Sequence, residues 1–105
     1  AVALEVFALQ QVDNLELSGT HGVVEINHND VLFIKSNGAY IEIQTLEKKI
    51  LQRKLLKEIE EELPENFVRT HRSFIVNRIH IDQRSAAELK VKGHVVPISR
   101  SYKNF

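Results

Sequence analysis

The chain has 105 residues, of which 43% are hydrophobic and 27% charged, as expected of one compact soluble domain with a modest core. It contains no cysteine, which excludes disulfides and cysteine-based zinc sites and is compatible with a cytoplasmic location, and no apolar run approaches the roughly 18–20 residues that cross a bilayer. The net charge is zero, but residues 66–105 have a balance of +6 against −6 for residues 1–65, which indicates either a basic face that attracts phosphate or scattered solvated charges.

Residues 1–13 show two overlapping patterns. Val2, Leu4 and Val6 alternate as in a strand, whereas the spacing of Val6 and Leu9 suits a helix. Because the chain also starts without Met, we expect this segment to be a linker or N-terminal extension that follows an upstream domain. Its apolar residues leave a second interpretation open, in which the segment pairs two copies of the chain.

Short strands are predicted in the stretch NLELSGTHGVVEINHND, where Gly, Asn and Asp interrupt alternating apolar and polar residues. The next stretch, DVLFIKS, is almost continuously apolar, which predicts either a strand that is buried on both faces or a core strand. Asn37-Gly38 is a strong hairpin signal because both residues tolerate a positive φ. The alternation in AYIEIQT then places Ile41 and Ile43 on one face of a further strand.

One amphipathic helix is predicted in the segment QRKLLKEIEEELPE, residues 52–65. Four apolar residues fall on one face at helical spacing and are expected to pack on the sheet: Leu55, Leu56, Ile59 and Leu63. Two i,i+4 pairs are expected on the solvent side, Lys54–Glu58 and Lys57–Glu61. Pro64 is expected to end the helix.

The stretch FVRTHRSFIVN, which begins at Phe67, places two arginines and a histidine among apolar side chains. If its first half is extended, Phe67, Arg69 and His71 share one face of a strand. Ser73 is then expected to cap a short helical turn, SFIVN, so that Arg72 projects from the corner between the two halves. This arrangement predicts an arginine that is presented to solvent from an anchored backbone.

Two further polar residues of this stretch are assigned to the framework. His71 lies among core residues and is expected to be a hydrogen-bonded structural group, and Asn77 is expected to cap or turn the chain. After it, RIHIDQ, ELKVKG and HVVPIS are predicted to be strands, with a turn near Gly93 and with Pro97 at an edge or strand end. The predicted fold is therefore mainly β with one α-helix.

The order of DVLFIKSNGAYIEIQT, the amphipathic helix, FVRTHRSFIVN and VVPISRSYKNF resembles the LytTR family of bacterial DNA-binding domains. The resemblance covers residues 14–105, and its most specific parts are the string F-x-R-x-H-R-S-F-x-V-N and the later P-I-S-R. It implies an elongated sandwich of small antiparallel sheets. It also implies sequence-specific binding of duplex DNA by loops that enter successive major grooves, in the output domain of a two-component response regulator. An upstream receiver or sensor domain, and a homodimer on DNA, are the further partners that it suggests.

The resemblance and the basic C-terminal half together give nine candidate DNA-binding residues: Lys35, Asn37, Tyr40, Arg69, Arg72, Ser99, Arg100, Tyr102 and Lys103. Arg72 and Arg100 are expected to make bidentate bonds to guanine, the commonest specific contact between protein and DNA. The hydroxyl and ammonium groups after residue 98 suit phosphate. Arg69 has two interpretations, a phosphate contact or an ion pair with the acidic helix.

Catalysis has little support in the sequence. The five histidines show no metal-ligand spacing, glycine is too scarce for a phosphate-binding loop, and no nucleophile accompanies His80 and Asp82. We therefore expect no enzyme activity, no metal and no cofactor. The competing class is a non-catalytic β-domain whose exposed strand edges bind another protein.

Overall fold

The computed structural model describes residues 14–19 and 22–102, with side chains from Ile26 onward. In this part of the chain, ten strands form three antiparallel sheets, and one α-helix packs on the largest of them. The molecule measures 45 × 33 × 24 Å, so the predicted elongated, mainly β architecture is confirmed. The expected linker at residues 1–13 lies outside the described residues. No helix in the described ranges has the length and apolar character that a membrane crossing requires.

The first sheet has two strands, β1 (Asn14–Gly19) and β2 (Gly22–Asn27), which pair antiparallel. These strands confirm the prediction of short strands at the start of the domain. A 3₁₀ turn, His28–Asp30, follows directly, and the side-chain oxygen of Asn27 caps it by accepting a hydrogen bond from the N–H of Asn29 at 2.8 Å. This capped turn leads the chain into the central sheet.

The central sheet has five strands in the order β5-β4-β3-β7-β6. Its members are β3 (Val31–Asn37), β4 (Tyr40–Thr45), β5 (Lys49–Gln52), β6 (Phe67–His71) and β7 (Phe74–Asn77). The two-residue turn between β3 and β4 is Gly38-Ala39, in which Gly38 has a φ of +64°. The predicted hairpin is confirmed, but its turn lies one residue later than predicted, because Asn37 is the last residue of β3. The order places β3 at the centre, next to β7.

The third sheet has three strands, β8 (Ile81–Arg84), β9 (Glu88–Val91) and β10 (His94–Pro97), in the order β10-β9-β8. Both residues of the β9–β10 turn have positive φ values, 47° at Lys92 and 87° at Gly93, as in a type I′ hairpin turn. The strand predicted in RIHIDQ begins later than expected. Arg78–His80 forms a 3₁₀ turn that the side chain of Asn77 caps.

Two hydrophobic cores lie on opposite faces of the central sheet. The first includes Ile34, Ile41, Ile43, Ile75 and the apolar face of the helix. The second includes Leu32 and Val76, together with the inner face of the three-stranded sheet: Leu89, Val91 and Val96. Because β3 and β7 contribute side chains to both cores, the prediction of a doubly buried strand in DVLFIKS is confirmed. These two strands are the rigid centre from which the neighbouring turns project.

The helix, α1 (Leu56–Glu60), is much shorter than the predicted segment. Gln52 still belongs to β5, where it pairs with β4, so the chain must turn before a helix can begin. Leu56 and Ile59 are buried against the first core, as expected. Leu55 was predicted on the buried face but is 58% exposed, because it precedes the first helical residue.

Neither predicted i,i+4 ion pair forms. The carboxylate of Glu58 accepts a hydrogen bond from the backbone N–H of Leu55 at 3.0 Å, so it caps the helix start instead of binding lysine. Lys54 Nζ lies 2.6 Å from Oε2 of Glu62, and Glu61 lies beyond the last helical residue. Because the helix is short, the lysine and glutamate side chains do not form the i,i+4 pairs that a longer helix would allow.

The last four residues of SFIVN form strand β7 (Phe74–Asn77), so the prediction of a helical turn capped by Ser73 is wrong. β7 pairs with β3 on one side and with β6 on the other. Its residues Ile75 and Val76 point to opposite faces and enter the two cores. Burial on both faces overrides the local capping signal, and Ser73 instead lies in the turn before the strand.

Arg69 and His71 lie on opposite faces of the sheet, although strict alternation predicts the same face. Arg69 pairs with Ile75 and His71 with Phe74, and the register shifts between these two pairs. Such a bulge inserts one extra residue, here Thr70, and reverses the alternation beyond it. Arg69 therefore stays on the helix side of the sheet, whereas His71 turns to the side of Phe74.

Candidate nucleic-acid interface

Three groups of predicted site residues adjoin one another in the fold: residues 35–40, 69–73 and 99–102. The backbone N–H of Ser36 donates to the carbonyl oxygen of Ser73 at 2.9 Å, which joins the β3–β4 hairpin to the turn between β6 and β7. The backbone N–H of Ser99 donates to the carbonyl oxygen of Thr70 at 2.8 Å, which joins the C-terminal segment to β6. Backbone hydrogen bonds thus hold the three groups in fixed register.

The β3–β4 hairpin presents three of the predicted residues. Lys35, Asn37 and Tyr40 are all exposed, and Tyr40 is 46% exposed although it is a large aromatic residue. The ammonium of Lys35 lies 6.0 Å from the centre of the Phe74 ring, within range of a cation–π contact. The hairpin therefore offers an ammonium, an amide and a phenol at one end of the sheet.

Glu42 orients the amide of this hairpin. Its carboxylate accepts a hydrogen bond from Asn37 Nδ2 at 3.2 Å and lies 3.1 Å from the ammonium of Lys49. The hydrogen bond from Lys49 is the largest cause that holds the pKa of Glu42 below its ordinary value, and the charges of Lys49 and Lys35 add to it while burial opposes it. Glu42 therefore remains an acceptor for the Asn37 amide at neutral pH.

The turn between β6 and β7, residues 71–74, is called here the Arg72 turn. Its backbone is held by hydrogen bonds both from outside the turn and from within it. The carbonyl oxygen of Ser73 accepts the bond from Ser36, and the N–H of Ser73 donates to Nδ1 of His71 at 3.1 Å. The Arg72 side chain projects from this fixed backbone and is exposed, as the sequence predicts.

Arg72 and Arg100 each present a free guanidinium. Both side chains are exposed, and neither makes a hydrogen bond, an ion pair or a ring contact with the residues that the structure describes. Arg100 begins a 3₁₀ turn that ends at Tyr102. Two unpaired guanidinium groups on adjoining, anchored segments are suited to bind an anionic or hydrogen-bonding partner.

Arg69 differs from these two arginines because its guanidinium is engaged within the protein. Nε donates to the carbonyl oxygen of His71 at 3.1 Å, and Nη2 donates to the carbonyl oxygen of Arg72 at 2.6 Å. Nη1 donates to Oε1 of Glu60, at the end of α1, at 3.3 Å. Of the two interpretations that the sequence left open, the ion pair with the acidic helix is the one found in the structure.

The C-terminal group supplies hydroxyl groups beside Arg100. Oγ of Ser99 lies 3.4 Å from the N–H of Ser101, and the N–H of Tyr102 donates to the carbonyl oxygen of Ser99 at 3.0 Å. The Tyr102 ring lies 5.8 Å from the guanidinium carbon of Arg69. Lys103, the last predicted residue of this group, lies outside the described residues.

We expect His71→Ala to lower the melting temperature by several degrees. The variant loses the acceptor for the Ser73 N–H and the edge-to-face contact with the Phe74 ring, whose centre lies 5.8 Å away. A lost hydrogen bond of this kind costs about 1 kcal/mol, which shifts the melting temperature of a small domain by about 4–8 °C.

Thermal unfolding followed by circular dichroism measures this change. His71→Asn is the matched variant, because its side-chain oxygen can accept the same N–H bond and should recover part of the loss. A His71→Ala protein with unchanged stability and impaired DNA discrimination would instead place His71 among the DNA-contacting residues.

Two contributors to this surface were missed in the sequence. Glu42 could have been found only with the correct hairpin register: the observed Gly38-Ala39 turn places Lys35 opposite Glu42, whereas a turn at Asn37-Gly38 would place it opposite Tyr40. Glu60 could not, because its contact with Arg69 depends on where α1 packs and where β6 bulges. Local spacing carries no information about either of those tertiary features.

The comparisons with known proteins agree with the geometry. The family model described as the LytTr DNA-binding domain matches residues 21–104. A solved structure, the LytTr DNA-binding domain of a putative methyl-accepting/DNA response regulator from Bacillus cereus, superposes with a TM-score of 0.73 at 29% identity and covers 86% of this chain and 89% of its own.

Similar curated proteins are longer than this chain. The sensory transduction protein LytT of Bacillus subtilis is 30% identical over 95 residues, which are 84% of this chain and 39% of that protein. An uncharacterized response regulatory protein of Vibrio cholerae is 31% identical over 97 residues, 87% of this chain and 40% of that protein. The chain thus spans about two fifths of these relatives. With a family model that matches most of its length, the chain belongs to the LytTR family of DNA-binding domains.

Proposed function

We propose that this domain binds duplex DNA sequence-specifically through the three adjoining groups of its surface and thereby regulates transcription. The observation that carries the proposal is the pair of exposed guanidinium groups, Arg72 and Arg100, which have no partner among the described residues. Membership of the LytTR family supports DNA as the ligand. Each of the two side chains can donate two parallel hydrogen bonds to O6 and N7 of a guanine in a major groove.

The neighbouring residues suit the sugar–phosphate backbone. Lys35 supplies an ammonium, and Asn37, Tyr40, Ser99 and Tyr102 supply amide or hydroxyl groups. Contacts of this kind fix the orientation of a protein on the duplex without discriminating among sequences. We assign these five residues to positioning on DNA, and we add Lys103 on the basis of the sequence alone.

The helix is excluded from the proposed contact. α1 has five residues, a length of about 7.5 Å at 1.5 Å per residue, which is short for a recognition helix. It and the segment that follows carry five acidic residues, Glu58, Glu60, Glu61, Glu62 and Glu65. Phosphate repels such a surface at contact distance. Base readout by loops is therefore the geometry that we propose.

The larger protein is proposed to be a response regulator. The Bacillus subtilis and Vibrio cholerae relatives are named for sensory transduction and response regulation, and the chain matches about two fifths of each. We infer that a receiver domain precedes residues 14–105, that residues 1–13 link the two, and that its phosphorylation controls DNA binding. The role that we propose is non-catalytic. It is carried out in the bacterial cytoplasm, where the chromosome lies. We also propose that two copies of the protein bind the DNA site together.

We predict that footprinting shows two protected segments about 10 base pairs apart, because the 45 Å length of the molecule exceeds the ~34 Å between successive major grooves on one DNA face. The double variant Glu61→Gln, Glu65→Gln should protect the same bases and bind slightly more tightly at low salt, since it removes two repulsive charges that make no ion pair with described residues.

Binding to random duplex DNA at several salt concentrations distinguishes the competing class. A DNA-binding domain loses affinity steeply as salt rises, whereas a protein-interaction module has no such affinity to lose.

In the footprinting experiment, a Glu61→Gln, Glu65→Gln variant that protects different bases would show that the acidic segment, and not the loops, selects the sequence.

A further inference from the structure

We propose that Arg69 is a positioning residue that fixes the Arg72 turn, and that it does not itself contact DNA. The proposal rests on the proposed function, in which Arg72 contacts a base. It assigns different roles to two arginines that stand three residues apart in the same motif. One arginine holds the backbone inside the protein, and the other presents a free guanidinium to the ligand.

The hydrogen bonds of Arg69 are directed at the backbone around Arg72. Its Nε and Nη2 atoms donate to two successive carbonyl oxygens, those of His71 and Arg72, at 3.1 and 2.6 Å. The carbonyl of Arg72 lies within a two-residue turn, where no ladder partner is available to it. Because the guanidinium is planar and its donors are fixed relative to one another, it fixes the mutual orientation of both peptide groups.

The same guanidinium is itself held on two other sides. Nη1 lies 3.3 Å from the carboxylate of Glu60, which belongs to α1, and the guanidinium carbon lies 5.8 Å from the ring of Tyr102. The Arg69 side chain is only 20% exposed. It is therefore preorganised before any ligand binds, and it connects the Arg72 turn to the segment that carries Arg100.

Two backbone–backbone hydrogen bonds and one bond to a side chain also hold the turn and the strand residue before it. Thr70 accepts from Ser99, Ser73 accepts from Ser36, and the Ser73 N–H donates to His71. Arg69 supplies the remaining bonds, to the two carbonyls on either side of the exposed side chain. Without it, the peptide that carries Arg72 would lose the bonds that set its direction, and DNA binding would have to restore that order at an entropic cost.

We expect Arg69→Gln to weaken binding to the specific site about 5- to 30-fold, the cost of ordering roughly one residue. A double-mutant cycle with Arg72→Ala identifies the cause. If Arg69 acts through Arg72, then Arg69→Gln should add less than about a 2-fold loss once Arg72 is already alanine. Additive losses, together with a salt slope reduced by about 1, would show a direct phosphate contact and overturn the proposal.

Arg69→Lys provides a second, independent test. Lysine keeps the positive charge for phosphate but cannot bond two carbonyls in a planar fork, so it should bind the specific site nearly as weakly as the glutamine variant. Recovery of wild-type affinity by lysine would overturn the proposal. The matched control is Lys57→Gln, which removes one exposed positive charge from α1 and leaves the turn intact.

Circular dichroism and thermal unfolding establish that each variant is folded before its binding is compared. If Arg69→Gln does not fold, the cycle is run with Arg69→Lys in its place, and the same coupling decides the result. The proposed function fails separately from this inference. Wild-type affinity in the Arg72→Ala variant would refute the proposed base contact. Additive losses in the cycle would refute only the role assigned to Arg69.

Discussion

Replacing Arg72 or Arg100 by alanine is expected to weaken binding to the specific DNA site about 5- to 150-fold, with the fold intact. A bidentate bond between arginine and guanine is worth about 1–3 kcal/mol of discrimination against the wrong base. Both side chains are exposed and make no hydrogen bond, ion pair or ring contact with described residues that truncation could remove. The melting temperature should therefore stay within about a degree of the wild-type value.

The measurement needs a binding site, which selection from genomic fragments supplies. Titrations with that site and with single-base variants of it would show which base each arginine contacts. The affinity of each alanine variant should no longer depend on the base at one position of the DNA site. Its affinity for random duplex DNA should fall by much less than its affinity for the specific site. Arg53→Ala is the matched control, because Arg53 is an exposed arginine in the bend before α1. Wild-type affinity in both variants would refute the assigned contacts.

Asn77→Ala is expected to destabilise the domain by about 3 kcal/mol, a large share of the 5–15 kcal/mol that stabilises a typical domain. Asn77 is completely buried. Its Nδ2 donates to the carbonyl oxygens of His28 and Val31 at 3.2 and 2.9 Å, and its Oδ1 accepts from Asn66 and Ile79 at 2.7 and 3.3 Å. Alanine would leave buried polar groups unsatisfied on three segments at once.

Urea denaturation measures this loss as a lower midpoint with an unchanged slope. Asn66→Ala is the graded control, because it removes only one of the four bonds at a half-buried position and should cost about 1 kcal/mol. Asn77→Asp keeps the acceptor but replaces the donor with a buried charge that faces two carbonyls, and it should be at least as unstable as the alanine variant. An Asn77→Ala protein within 0.5 kcal/mol, or about half a hydrogen bond, of wild type would contradict this account.

The spacing of apolar residues predicted the strands correctly where the buried residues alternate along the strand or are continuous. The Asn37-Gly38 hairpin, the strand that contains Ile41 and Ile43 and the doubly buried strand before them all follow from apolar spacing and turn chemistry. The segment after Ser73 was assigned incorrectly. A short apolar run that follows a serine is compatible with a capped helical turn, and only pairing with β3 and β6 makes it a strand.

The candidate site likewise has features that the sequence predicted and one that it could not predict. The sequence indicated that Arg72 and Arg100 would be presented at the ends of anchored segments, and the structure places both side chains in solvent. The role of Arg69 stayed open, because it depends on a bulge at Thr70 and on the position of a helix that proved shorter than its charge pattern suggested. Register shifts and helix termini are decided by tertiary packing, which local spacing does not encode.

The bonds that hold the Arg72 turn have a consequence for how the promoter preference of this domain could diverge. Every one of them ends on a main-chain atom of the turn or on a residue other than 72. The loop conformation is therefore independent of the side chain at that position. Under the proposed base contact, a single codon change at 72 would alter the preferred base without a compensating mutation elsewhere, so a new regulatory target would require only one substitution.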